Sequence, residues 1–165
     1  YNFSTYDSYS DLHNHMRLWR SRKPDWMYFL RAESFYNVAT KEMEYSGVFS
    51  ERYHDQSHGQ SFFSVLMKQT NKNGLYLLDE PEAALSCQNQ LALLYLIQSC
   101  VKQNCQFIIA THSPILLGFP GAQILSFDEG KIEEVDYKST SSYQTMKLFL
   151  DRYDYFVKDI KENDN

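Results

Sequence analysis

One stretch limits what this chain can fold into more than any other: Gly74-Leu75-Tyr76-Leu77-Leu78-Asp79-Glu80-Pro81-Glu82-Ala83-Ala84-Leu85-Ser86. Four apolar residues run into two adjacent carboxylates, a proline ends the run, and a helix-forming segment follows. A short apolar run bounded by a turn signal reads as a buried strand of a parallel sheet. Ligands of such sheets bind just outside the carboxyl ends of the strands, so Asp79 and Glu80 stand where an α/β sheet does its chemistry. Two like charges placed there repel unless a cation or polar ligand is present. The arrangement suits a Mg²⁺–phosphate site, with Asp79 holding the metal and Glu80 working on a water.

Two further apolar runs repeat the pattern. Trp26 to Leu30, after Pro24, reads as a buried strand that leaves into Arg31-Ala32-Glu33-Ser34 and a helix through Phe35, Val38 and Met43. Arg31 and Glu33 thus also lie at a strand's carboxyl end, where a site contact and a structural ion pair are both open. Gln106 to Thr111 reads as a third buried strand and ends in His112-Ser113-Pro114. Between the second and third strands, about Ser86 to Lys102 reads as a long helix whose core face carries Leu91, Leu94, Ile97 and Val101. Strand, helix and strand form a βαβ unit, which brings the two strands close together and Glu80 and His112 to one crevice.

The remaining segments are expected as follows. A helix starts at Ser8 or Ser10 and runs through Leu12, Met16 and Trp19, with Arg17, Arg20, Arg22 and Lys23 as a basic patch near its end. Residues 46–59 are polar and turn-rich, and Ser61 to Met67 is a helix with Ser57 and Gly59 at its start. Such a start offers backbone N–H groups to an anion, and it is equally an ordinary serine cap. Ile115 to Gly118 is a helical turn. Ala122 to Phe127 and Lys131 to Tyr137 pair as an antiparallel hairpin. Ser141 to Arg152 is an amphipathic helix, with the chain frayed after Ile160.

Composition narrows the class. With 165 residues, 43% hydrophobic and 16% aromatic, the chain can bury a core and is unlike a disordered sequence. Charge is uneven: residues 1–74 carry nine Lys/Arg and eight Asp/Glu, and residues 75–165 carry seven and thirteen. An acidic second half argues against a broad nucleic-acid surface there. Cys87, Cys100 and Cys105 form no CxxC pair and fit a reducing cytoplasm. No apolar run is long enough to span a bilayer as a helix. One domain is expected, with a helical portion over about 1–70, a catalytic core and hairpin over 71–137, and a C-terminal helix and tail over 138–165.

In combination the motifs resemble those of ABC-type ATPases. LYLLDEPEAALS resembles the Walker B motif and the D-loop after it, and ATHSPILL resembles the switch-histidine loop. SHGQSFF, whose Gln60 precedes Asp79 by 19 residues, resembles a degenerate ABC signature. Order and spacing agree over roughly residues 55–137, and the wording is nearest the soluble, SMC-like "predicted ATPase" branch of the AAA type. FLRAESF falls where that family has its Q-loop. The resemblance implies a P-loop NTPase-like α/β fold, a parallel sheet flanked by helices, with a C-terminal β-hairpin and helix.

It also implies roles. Asp79 would hold Mg²⁺, Glu80 would be the general base, and His112 would contact the γ-phosphate of ATP. Ser57, Gly59 and Gln60 would cap the γ-phosphate of ATP on a second subunit in a head-to-tail dimer, and Glu33 would stand in for the Q-loop glutamine. Relatives of this branch act in DNA repair, chromosome handling and phage defence, so the implied partners include nucleic acid or an effector protein. Several positions depart from the pattern. His58 replaces a signature glycine, Ser86 replaces the D-loop aspartate, and no G-x-x-x-x-G-K-[ST] phosphate loop occurs in the 165 residues. Gly130-Lys131 is followed by Ile132. The expectation is therefore a partial domain whose N-terminal, Walker A-bearing lobe is missing, inactive alone and an ATPase when complete. The alternative is a non-enzymatic half-domain that completes the ATP site of a P-loop-bearing partner. A metal-dependent hydrolase using Asp79, Glu80 and His112 ranks third, because no further carboxylate or histidine is spaced to complete a two-metal site.

Overall fold

The computed structural model describes residues 11–32 and 73–163. The residues Ser8, Ser10, Glu33, Ser57, Gly59 and Gln60, and the helices expected over Phe35–Met43 and Ser61–Met67, lie outside the described residues. A helical turn α1 (Leu12–His15) precedes three strands, β1 (Trp26–Arg31), β2 (Gly74–Asp79) and β3 (Gln106–Ala110). A 3₁₀ turn (Pro81–Ala84) and helix α2 (Cys87–Val101) join β2 to β3. After β3 come a short helix α3 (Pro114–Leu117), strands β4 (Leu125–Ser126) and β5 (Glu133–Glu134), and helices α4 (Ser141–Asp151) and α5 (Tyr153–Asn163).

The three strands form one parallel sheet in the order β1-β2-β3. This is the mixed α/β arrangement expected of a P-loop NTPase-like fold, compatible with it but not specific to it. Register decides which residues share a face. Tyr28, Tyr76 and Phe107 form one row across the sheet, and Leu30, Leu78 and Ile109 form the next. Both rows lie under α2 and the turns around it. Leu30, Leu78, Ala84, Leu85, Leu93, Ile97 and Leu116 are the buried core, with Tyr28, Phe107 and Ile109 packed at its margin. Tyr76 is fully buried and stacks on Phe107 at 4.8 Å between ring centres. Its ring folds back over Gly74, where a Cβ would come within 2.6 Å of it, so this strand start admits only glycine without repacking.

Helix α2 is bounded by its caps. Ser86 takes an extended conformation and its hydroxyl accepts the Asn89 N–H, satisfying one of the free donors of the first turn. The expected span of Ser86 to Lys102 is thus met. Its face is not. The buried positions are Gln90, Leu93, Ile97 and Cys100, whereas Leu91 and Val101 are exposed. Leucines lie on nearly every side of this helix, so apolar spacing could not choose the face. Contact with the sheet chose it.

Four other expectations need correcting. The first helix ends at His15, and residues 16–20 have no regular structure, so the basic residues follow a single turn and not a long helix. β1 and β3 are not buried on both faces. Met27, Phe29 and Ile108 are exposed. They project to the sheet face opposite α2, which no described helix packs on, and a continuous apolar run cannot distinguish this from full burial. The hairpin is real but has two residues per strand, joined by a turn at Asp128–Gly130. Finally, α5 extends past Ile160 to Asn163, in place of the expected tail. A cluster of Phe149, Tyr153 and Phe156 joins α4 and α5 at their corner.

Candidate active site

Asp79 ends β2, and its register partner in β1 is Arg31. The two share the sheet face away from α2, and Arg31 Nε lies 3.0 Å from Asp79 Oδ2. Of the two sequence readings of Arg31, the ion pair is the one found, and its partner is Asp79. Both side chains are partly exposed, so the pair contributes little to stability. It does orient the carboxylate and leaves the other oxygen, Oδ1, outside that contact. Among the described residues no three His, Cys, Asp or Glu side chains converge as a metal cluster. That is compatible with Mg²⁺, which binds through one or two carboxylates together with phosphates and water.

At Glu80 the chain turns abruptly. Its backbone is left-handed, with φ 46° and ψ 51°. A non-glycine residue holds that conformation only where its surroundings fix it. Three contacts do so here. The Glu80 N–H donates to Ala110 O at 2.9 Å, extending the β2–β3 ladder by one bond. The Glu80 carbonyl accepts the Ala83 N–H at 3.0 Å, closing the first turn of the 3₁₀ segment. Pro81, which lacks an N–H and has φ preset, begins that segment and is buried. The kink keeps the Glu80 side chain at the top of the sheet, 54% exposed.

β3 ends one residue before Thr111-His112-Ser113. His112 Nε2 lies 3.9 Å from Glu80 Oε1. That distance is too long for a direct hydrogen bond. The two groups face the same opening at the strand ends without being locked to each other, which suits a carboxylate and an imidazole acting on one reacting group.

The loop bearing His112 is held from two sides. Glu82, in the 3₁₀ turn, accepts the His112 backbone N–H on Oε1 at 2.6 Å. On the other side, the Ser113 hydroxyl donates to Gln90 Oε1 at 2.6 Å and accepts the N–H groups of Ile115 and Leu116. The Gln90 amide in turn donates to Leu85 O at 3.0 Å. A buried polar network thus ties α2, the turn after β2 and the start of α3. Tyr137 adds a bond from its hydroxyl to Pro114 O at 2.8 Å. Sequence reasoning missed Glu82 and Gln90. Gln90 had a signal, as a polar residue spaced with the apolar residues of α2. Glu82 had only its position two residues after Glu80.

Of the residues expected to form a site, the structure brings together Asp79 and Glu80 at the end of β2 and His112 beyond β3. Ser57, Gly59, Gln60 and Glu33 lie outside the described residues.

Residues 56–117 match the protein family described as AAA ATPase domain. That span runs from just before Ser57 to the end of α3 and contains Asp79, Glu80, Glu82, Gln90 and His112, but not Arg31. The chain is also 30% identical over 93 residues to an "Uncharacterized ABC transporter ATP-binding protein" of Haemophilus influenzae. The matched region is 56% of this chain and 35% of that protein, so the chain spans about a third of the relative's length. Both matches support an ATPase domain of the AAA/ABC type.

Proposed function

We propose that this chain supplies the hydrolytic half of an ATP site in a soluble, SMC-like ABC-type ATPase. The observation that carries the reading is the meeting of Glu80 and His112 at the carboxyl ends of adjacent parallel strands, 3.9 Å apart and beside Asp79. Phosphoryl transfer asks little covalent chemistry of a protein. It asks for positioning and for groups that meet developing charge. Glu80 accepts a proton from the attacking water and orients it. His112 donates to the γ-phosphate. Asp79 would hold Mg²⁺, which when bound would supply positive charge to neutralise the phosphates. Ser57, Gly59 and Gln60 cap the γ-phosphate across a head-to-tail dimer, and Glu33 occupies the Q-loop position.

The setting that goes with this reading is the cytoplasm, with hydrolysis driving a conformational change on nucleic acid or an effector protein. Cys100 and Cys105 are buried and not joined in a disulfide, in keeping with a reducing compartment. No helix among the described residues is long and apolar enough to cross a membrane.

In the full-length protein, Glu80→Gln retains ATP binding while turnover falls about 10²- to 10⁴-fold, the usual contribution of a general base. Fluorescent-nucleotide titration and phosphate release measure the two separately. Turnover equal to that of the unmodified protein would sink the assignment.

A second reading is favoured by one observation: the 165 residues contain no G-x-x-x-x-G-K-[ST] loop. In it, the chain lends its signature loop to a P-loop-bearing partner and hydrolyses nothing itself. The Glu80→Gln variant separates the two, because the second reading leaves turnover in the assembled complex unchanged.

A further inference from the structure

From the contacts around the His112 loop we infer that Glu82 is a positioning residue, one that fixes the backbone of His112 so that its imidazole and the Glu80 carboxylate address the same reacting centre. The inference rests on the ATPase reading above and adds to it a residue that no motif role covers. Three observations carry it.

The contact is short and joins distant parts of the chain. Glu82 Oε1 accepts the His112 N–H at 2.6 Å across 30 residues of sequence.

The contact is also costly. Glu82 Oε2 is buried and has no hydrogen-bond partner among the described residues. Keeping a carboxylate oxygen from water with nothing to replace it is unfavourable. An apolar residue in this half-buried turn would avoid that penalty, so stability alone does not account for glutamate here.

Lastly, the His112 side chain has little else to hold it. It is 88% exposed. The backbone fixes where the side chain starts and which rotamers reach Glu80, and that backbone is held by Glu82 on one side and by the Ser113–Gln90 bond on the other. Glu82 belongs to the same rigid turn as Glu80, which is braced by Pro81 and by the Glu80–Ala83 bond. Base and imidazole are therefore referenced to one turn, and their separation does not depend on the loop alone.

The test compares three variants in the full-length protein. Glu82→Gln keeps an acceptor oxygen at the same reach and removes the charge. Glu82→Asp keeps the charge and withdraws it by one methylene. Glu82→Ala removes both. Positioning by reach predicts that Gln retains most of kcat. Asp and Ala lower kcat about 10- to 100-fold with KM for ATP little moved, the scale expected when a catalytic group shifts by about 1 Å. Amide hydrogen exchange at His112 provides a readout independent of turnover: slow in the unmodified protein and in Gln, fast in Asp and Ala. If Ala does not fold, the Gln and Asp pair carries the comparison. An active unmodified protein whose Asp and Ala variants match it in kcat overturns the inference and leaves the ATPase reading standing. Equal losses in Gln and Ala also overturn it, because charge and not reach would then matter. Fast exchange at His112 in the unmodified protein removes the contact itself, whatever the turnover. An unmodified protein without ATP hydrolysis overturns the ATPase reading, and the catalytic role of Glu82 with it.

Discussion

Glu80 combines a charged side chain at a strand end with a backbone conformation that side chains rarely adopt. The two properties separate by substitution. Glycine has no Cβ to oppose φ 46°, whereas a β-branched residue meets the full steric cost. Glu80→Gly is therefore expected to be at least as stable as the natural protein, and Glu80→Ile to lose about 1–3 kcal/mol. Urea denaturation of both variants measures the difference, and equal stabilities would remove the strain account. At this scale the sequence disclosed residue types better than contacts. Asp79, Glu80 and His112 could be singled out because each follows an apolar run that ends at a turn. The partners Arg31, Glu82 and Gln90 could not be assigned, because each pairing depends on where a distant residue is placed. Asp79 meets Arg31 only through the β1–β2 register, and Glu82 reaches His112 only because the turn beginning at Glu80 sets it beside the loop that follows β3.

Helix α2 shows what an element's sequence decides and what it leaves open. Ser86 as cap and the return turn at residues 102–104 set its ends, and both are local. Its face is a matter of what lies beneath. Leu91 and Leu93 are chemically alike, yet Leu93 is fully buried and Leu91 is 50% exposed. Leu93→Ala is expected to cost about 2–5 kcal/mol, as for a core leucine that leaves a cavity. Leu91→Ala stays within about 0.5 kcal/mol, as for an exposed position. Thermal or chemical unfolding of the two single variants decides the matter, and the reverse ranking would restore the face that spacing alone predicts. Gln90 belongs to the same question. On the buried face a glutamine costs stability unless its amide is satisfied, and here both ends are, by Leu85 O and the Ser113 hydroxyl. The strands β1 and β3 make the same point: their apolar runs were legible, and their one-sided exposure was not.

For the whole molecule, the proposed mechanism requires a second copy, since the residues that cap the γ-phosphate would come from the neighbouring subunit. The full-length protein bearing Glu80→Gln is expected to double its mass on addition of ATP and Mg²⁺, because nucleotide is bound and not consumed, and to return to monomer when nucleotide is removed. Light scattering after size exclusion measures this; a mass unchanged by ATP would exclude the head-to-tail dimer. The sequence by itself determined the parallel βαβ order and the chemical character of the strand ends. Apolar run length, proline and cap residues act over a few neighbours and need no tertiary context. Only the tertiary structure decided that β2 lies directly between β1 and β3, that α2 covers one sheet face, and that Glu82 and Gln90 grip the loop of His112. Those depend on register and on the direction of a turn, which are set by packing between residues far apart in the chain. Asp79 and Glu80 were visible as two carboxylates after a strand; that the fold pairs one with Arg31 and sets the other 3.9 Å from His112 was not.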